Sequence, residues 1–138
     1  MTKGKKIYRQ ITSRDIFQAY EFLLRDRLIS FPLTLEGERR VEAIVANINN
    51  SYYDTEIYST AEEKAVAYFY FIIKDHPFTD GNKRTAVLVF LVFCNINKLN
   101  LELKNFELDQ VAVLIEKIRE NDHQKIIRAI SRLLFPKE

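Results

Sequence analysis

The stretch that decides how this chain folds runs from Val66 to Ile96 and reads VAYFYFIIKDHPFTDGNKRTAVLVFLVFCNI. Two strongly apolar runs, Val66 to Ile73 and Val87 to Ile96, flank the polar segment His76-Pro77-Phe78-Thr79-Asp80-Gly81-Asn82-Lys83-Arg84. An apolar run is read as a core element, and one that is apolar all round as a helix at the centre of a bundle. Lys83 to Ile96 fits that description. Periodicity alone leaves Val66 to Ile73 open between a buried strand and a buried helix. The upstream Thr60-Ala61-Glu62-Glu63 tips the reading to helix, because Thr60 can accept from an early backbone N–H and Glu63 can reach back to the cap.

Outward from this pair, Thr12 or Ser13 caps a helix predicted to run to about Leu28, and Pro32 breaks the segment from Ser30 to Leu35. Val41, Ile44, Val45 and Ile48 recur at helical spacing within a second helix over 36–50. Ser51 to Ser59 places aromatic and β-branched residues around Asp54-Thr55, which suits either a short hairpin or an irregular interhelical loop. Asp109 to Arg119 and His123 to Phe135 read as two further helices, the last capped by Asp122. With 3 glycines, 3 prolines and no repeat, the chain has few breakers. The expectation is an all-α domain over 1–138 with at most one hairpin, preceded by a basic tail over 1–10 (Lys3, Lys5, Lys6, Arg9).

Composition narrows the function. A chain of 138 residues with 47% hydrophobic and 29% charged residues reads as a folded soluble protein. A net charge of +2 gives no ground for nucleic-acid binding. No apolar run reaches the ~18 residues of a membrane span, and no signal-peptide region opens the chain. The lone Cys94 sits in the apolar run and is read as core rather than as a reactive thiol. A cytoplasmic protein without membrane or nucleic-acid partners is expected.

The polar segment combines chemistries that few structural loops need together. Gly81 to Arg84 falls where the second central helix begins, and a helix N-terminus offers unpaired N–H groups and partial positive charge to phosphate. Gly81 admits close approach to the main chain. Lys83 and Arg84 supply a point charge and a bidentate fork. Asp80 would repel phosphate unless a cation lay between, and Mg²⁺ commonly binds through one or two carboxylates plus phosphates. The structural alternative for Asp80 is an N-cap or an ion pair with Lys83 or Arg84. A free imidazole titrates near ~6.5, which suits a general base, and His76 is read in that role; the alternative is a histidine bonded to nearby backbone. Phe78 turns inward as an anchor, and His123 reads as an exposed helix residue.

His-Pro-Phe-x-Asp-Gly-Asn-Lys-Arg resembles the signature of the Fic/Doc family at every position. The flanking apolar helices, the capped start at Thr60 and the aromatic segment near Tyr52 extend the resemblance over roughly Ile11 to Leu134. The resemblance implies a small α-helical bundle that uses ATP and Mg²⁺ to modify a Ser, Thr or Tyr hydroxyl of a target protein. It implies that His76 is the base, Phe78 packs inward and Asp80 holds Mg²⁺. Gly81 and Asn82 line the anion hole, with Lys83 and Arg84 at the phosphates. A flap bearing Tyr52, Tyr53, Ile57 and Tyr58 would pin an extended target segment by strand-like pairing.

Members that transfer AMP usually carry glycine where this chain has Lys83 and a second arginine where it has Val87. The lysine resembles the Doc branch, which implies protein phosphorylation; AMP transfer is the alternative, and a non-catalytic nucleotide- or peptide-binding module is the third. The inhibitory motif of many members, Ser or Thr four residues before Glu-Gly or Glu-Asn, is not met. Pro32 and Glu116 occupy the hydroxyl positions before Glu36-Gly37 and Glu120-Asn121. A separate antitoxin protein is therefore expected as a partner.

Overall fold

A computed structural model describes residues 8–52, 55–103 and 107–136. Among these, six helices accompany one small hairpin: α1 Ser13–Arg25, α2 Leu35–Ile48, β1 Ser51–Tyr52, β2 Thr55–Glu56, α3 Ala61–Asp75, α4 Asn82–Ile96, α5 Leu108–Lys117 and α6 His123–Leu134. The fold is all-α, as the sequence predicts. Tyr53, and residues 1–7 of the expected tail, lie outside the described residues. At Arg9 the backbone is already held, because Asn97 accepts from its N–H at 2.6 Å and donates to its carbonyl at 3.0 Å.

Local chemistry sets the helix starts. Thr12 and Asp15 cap α1 reciprocally, Asp15 Oδ2 accepting from Thr12 N–H at 2.7 Å and Thr12 Oγ1 from Asp15 N–H at 3.3 Å. Thr34 accepts from Gly37 N–H at 3.0 Å, Thr60 from Glu63 N–H at 3.0 Å and Asp122 from Lys125 N–H at 3.1 Å. Each such cap contributes about 1 kcal/mol. The Thr60 cap makes the ambiguous run up to Ile73 a helix.

Helix α3 lies at the centre and packs against α2, α4, α5 and α6, while α1 packs on α4 and α2. This explains why α3 is apolar on nearly every side. Phe69 meets Phe90 of α4 edge-on at 5.1 Å, and Tyr68 meets Phe93 at 5.8 Å. Cys94 is buried beside them, and burial pushes its thiol up to about 12. At that value the thiol stays protonated, which fits a core residue rather than a nucleophile.

The hairpin pairs antiparallel, Ser51 opposite Glu56 and Tyr52 opposite Thr55. It is tied to α3 through Lys64, a lysine only 1% exposed. Its ammonium donates to Asn49 Oδ1 at 2.8 Å and Glu56 Oε1 at 3.2 Å, and it lies 5.2 Å from the Tyr8 ring centroid. Asn49 in turn donates to Val45 O at 2.9 Å and to the Tyr68 hydroxyl at 3.0 Å. A buried ammonium is tolerated only with partners of this kind. The hairpin therefore sits where Lys64 requires a counter-charge.

Tyr58, expected on the flap's target-binding face, is buried against Phe71, with its phenol pushed up to about 12 chiefly by burial. It anchors the flap instead of facing a partner, because a large ring beside the core gains more by burial than by exposure.

Removing Glu56 leaves the buried Lys64 charge uncompensated, whereas replacing Lys64 by an apolar side chain leaves only Glu56, which water reaches at 25% exposure. Glu56→Ala is expected to lower the unfolding free energy by about 2 kcal/mol or more, discounted for partial hydration of the ammonium, and Lys64→Met by less than half of that. Urea unfolding of both variants checks this; equal, negligible losses would show that the pair does not hold the hairpin.

Candidate functional site

Helix α3 ends because His76 adopts φ 52°, ψ 55° and Pro77, lacking an N–H, cannot continue the turn. A left-handed conformation is unfavourable for a residue with a Cβ by roughly 1–2 kcal/mol, so the surroundings must impose it. Part of that frame is α2, where a Cβ on Gly37 would lie 3.1 Å from the Pro77 carbonyl. The exposed His76 ring places Nδ1 3.3 Å from Ile73 O. A carbonyl only accepts, so Nδ1 carries the proton of this bond. In the neutral ring the lone pair is then on Nε2.

Beyond Pro77 the loop is clamped shut. Asn82 is buried, and its Oδ1 accepts from Phe78 N–H at 3.0 Å while its Nδ2 donates to Phe78 O at 2.9 Å. Phe78, 5% exposed, stacks on Tyr20 at 4.2 Å. The Tyr20 hydroxyl donates to Phe31 O. Burial, and secondarily the Asp80 carboxylate, raise the Tyr20 phenol above its ordinary value. Gly81 has φ 79°, and a Cβ there would come within 2.2 Å of Ile29 Cγ2. Backbone angle and space both demand glycine.

Gly81 is also the N-cap of α4, and it makes no side-chain cap bond. Helices α1, α2, α3 and α6 have their first turns closed by Thr or Asp side chains; the first turn of α4 is open and holds Lys83 and Arg84 with no acidic residue. That arrangement suits an anion. Lys83 Nζ pairs with Glu116 of α5 at 3.1 and 3.3 Å, and Arg84 Nη1 donates to Leu28 O. His76, Thr79, Asp80, Gly81, Asn82, Lys83, Arg84 and Glu116 together line a pocket of about 360 Å³, within the size range of small-ligand sites.

The structure thus brings His76, Asp80, Gly81, Asn82, Lys83 and Arg84 onto one cavity, with the Asn82 side chain in a role the sequence does not reveal. The Asn82 amide is spent on Phe78, so what this residue offers an anion is its backbone N–H. Asp80 is neither N-cap nor ion-paired; among the described residues it forms no hydrogen bond or salt bridge and stands exposed on the pocket. No three His, Cys, Asp or Glu side chains among the described residues cluster as a metal cage. One free carboxylate beside an open helix start fits Mg²⁺ held jointly with phosphates and water. His123 has more company than expected: the Tyr70 hydroxyl lies 2.6 Å from its Nδ1. It does not line the pocket.

Glu116, Ile29, Leu28 and Tyr20 complete the site but carry no local sequence signal, since each acts across a long chain separation.

A family model described as "Fic/DOC family" matches residues 5–94. Toxin Doc of Mycolicibacterium smegmatis is 29% identical to the chain over 109 residues, covering 74% of this chain and 83% of that protein. No solved structure gives a significant match to the chain.

The Asn82 clamp makes a direct stability prediction. Asn82→Ala orphans a buried N–H and a buried carbonyl, each worth about 1–3 kcal/mol. Denaturant unfolding should register a loss of about 2 kcal/mol or more for Asn82→Ala, and no smaller a loss for Asn82→Asp, which keeps the acceptor but sets a buried carboxylate against the Phe78 carbonyl. A loss within the ~0.5 kcal/mol of an ordinary surface substitution would contradict the clamp.

Proposed function

The chain belongs to the Fic/DOC family, and from that premise we propose that it transfers a phosphate-containing group from ATP to a Ser, Thr or Tyr hydroxyl of another protein. The observation that carries this reading is the placement of His76, with Nε2 available, on the same pocket as the uncapped start of α4. A base and an anion nest within one cavity are what attack on phosphorus requires.

In this reading the target hydroxyl gives its proton to His76 Nε2 as its oxygen forms a bond to phosphorus. The bond from that phosphorus to the leaving phosphate oxygen breaks. The first-turn N–H groups of α4 and the Arg84 guanidinium hold phosphate oxygens and favour the charge that accumulates on them. Asp80 would hold Mg²⁺, which when bound supplies further neutralisation of phosphate charge. The Phe78–Tyr20 stack and the Asn82 clamp keep the base and the nest in fixed relation, which lowers the barrier by orientation.

The preferred reaction is phosphorylation, with ADP leaving. Lys83 puts a bulky cation into the first turn of α4, where AMP-transferring members have glycine, and Val87 stands where they carry a second arginine. This favours presentation of the γ-phosphate; AMP transfer with pyrophosphate leaving is the competing outcome. The hairpin would receive the target's extended segment through Tyr52, Tyr53 and Ile57, and a protein antitoxin would restrain the activity in the cytoplasm. The likeness to Toxin Doc supports that last assignment.

Wild type and His76→Ala are to be incubated with lysate and ATP labelled at the α- or γ-phosphate. Protein label from γ only, lost by at least ~100-fold in His76→Ala, is the expected result. Label from α would redirect the reading to AMP transfer, and binding of ATP without any His76-dependent label would leave a binding module.

A further inference from the structure

We propose that Glu116 sets the affinity of the pocket for polyphosphate by holding the Lys83 ammonium at the α5 side of the opening. The inference rests on the reading of the pocket as a phosphate nest and adds a residue on another element that tunes it. Among the described residues, Glu116 is the one lining residue that comes from outside the loop and α4. Its two carboxylate oxygens lie 3.3 and 3.1 Å from Lys83 Nζ. The pair is 45% and 41% exposed, so it is weak and can open when a stronger anion arrives.

Two arguments give the pair a role beyond holding α5 in place. Glu116 stands in the last turn of α5, where the helix dipole disfavours a carboxylate; helix stability does not explain it. The charges of the lining also matter. Asp80 and Glu116 balance Lys83 and Arg84, so with His76 neutral the pocket carries no formal surplus of positive charge. A divalent cation on Asp80 would remove that carboxylate's repulsion, whereas among the described residues the charge of Glu116 is answered by Lys83 alone. Incoming phosphate must therefore displace Glu116 from Lys83 or bind beside an ammonium already engaged. Replacing the carboxylate by an amide of the same shape frees the cation and leaves the lining one charge more positive.

The test measures binding of inorganic triphosphate and of ATP with Mg²⁺ to the full chain by calorimetry, with circular dichroism as the folding control. Wild type, Glu116→Gln, Lys83→Met and the double variant are compared. Glu116→Gln is expected to tighten triphosphate binding by about three- to tenfold at low salt, with the gain shrinking at high salt. In the Lys83→Met background most of that gain should vanish, the coupling that a double-mutant cycle isolates. Unchanged or weaker binding by a folded Glu116→Gln overturns the inference while the phosphate-nest reading stands. A gain undiminished without Lys83 overturns it too, because Glu116 would then act as background charge. Failure of every variant to bind triphosphate or ATP removes the nest and this inference together.

Discussion

The site depends on one side-chain amide. Asn82, buried at the first position of α4, bridges both backbone polar groups of Phe78 and so closes the loop that joins the two central helices. What the loop contributes to the pocket hangs from that closure. The clamp turns Phe78 inward onto Tyr20, and Tyr20 reaches Phe31 in the connector between α1 and α2. The same connector supplies Ile29 against Gly81 and Leu28 O to Arg84. A loop of polar residues is thus held by contacts to the core and to the connector between α1 and α2. Such preorganisation lets an anion site act without reordering when its ligand binds.

Helix α3 links the two ends of the proposed activity. Near its start, Lys64 holds the hairpin through Glu56; at its end, His76 caps it in a left-handed conformation. The twelve residue steps from Lys64 to His76 correspond to about 18 Å of helix. Because α3 is buried among four other helices, it resists bending, so the hairpin and the imidazole are fixed in one frame. A buried ammonium, costly without partners, is intelligible as the fastening that positions a two-stranded element too small to be stable alone.

Much of this was legible in the residues. Thr12, Thr60 and Asp122 mark helix starts because a short oxygen-bearing side chain satisfies the same orphan N–H wherever it occurs. The two apolar runs mark the central pair because only helices enclosed on all sides tolerate them. What the sequence conceals are partnerships over distance. Glu116, 33 residues from Lys83, looks like any solvated acid near a helix end. Lys64 reads as a surface residue until Asn49 and Glu56 are seen around it. Tyr58 reads as part of an exposed flap because aromatic residues suit a hairpin face and a core equally. Asn82 shows the same limit within the loop: its amide could serve a ligand or the main chain, and only the geometry separates the two.

The central claim is that the His76 imidazole and the open first turn of α4 face a single bound polyphosphate. Nitrogen NMR tests it by following the His76 ring together with the Lys83 and Arg84 amides while Mg²⁺ and ATP are added to the intact chain. The account predicts that all three resonances move with one common saturation curve, from a ring whose Nδ1 proton is held by Ile73 O. Binding that shifts the α4 amides and leaves the His76 ring untouched, or shifts none of them, would contradict it.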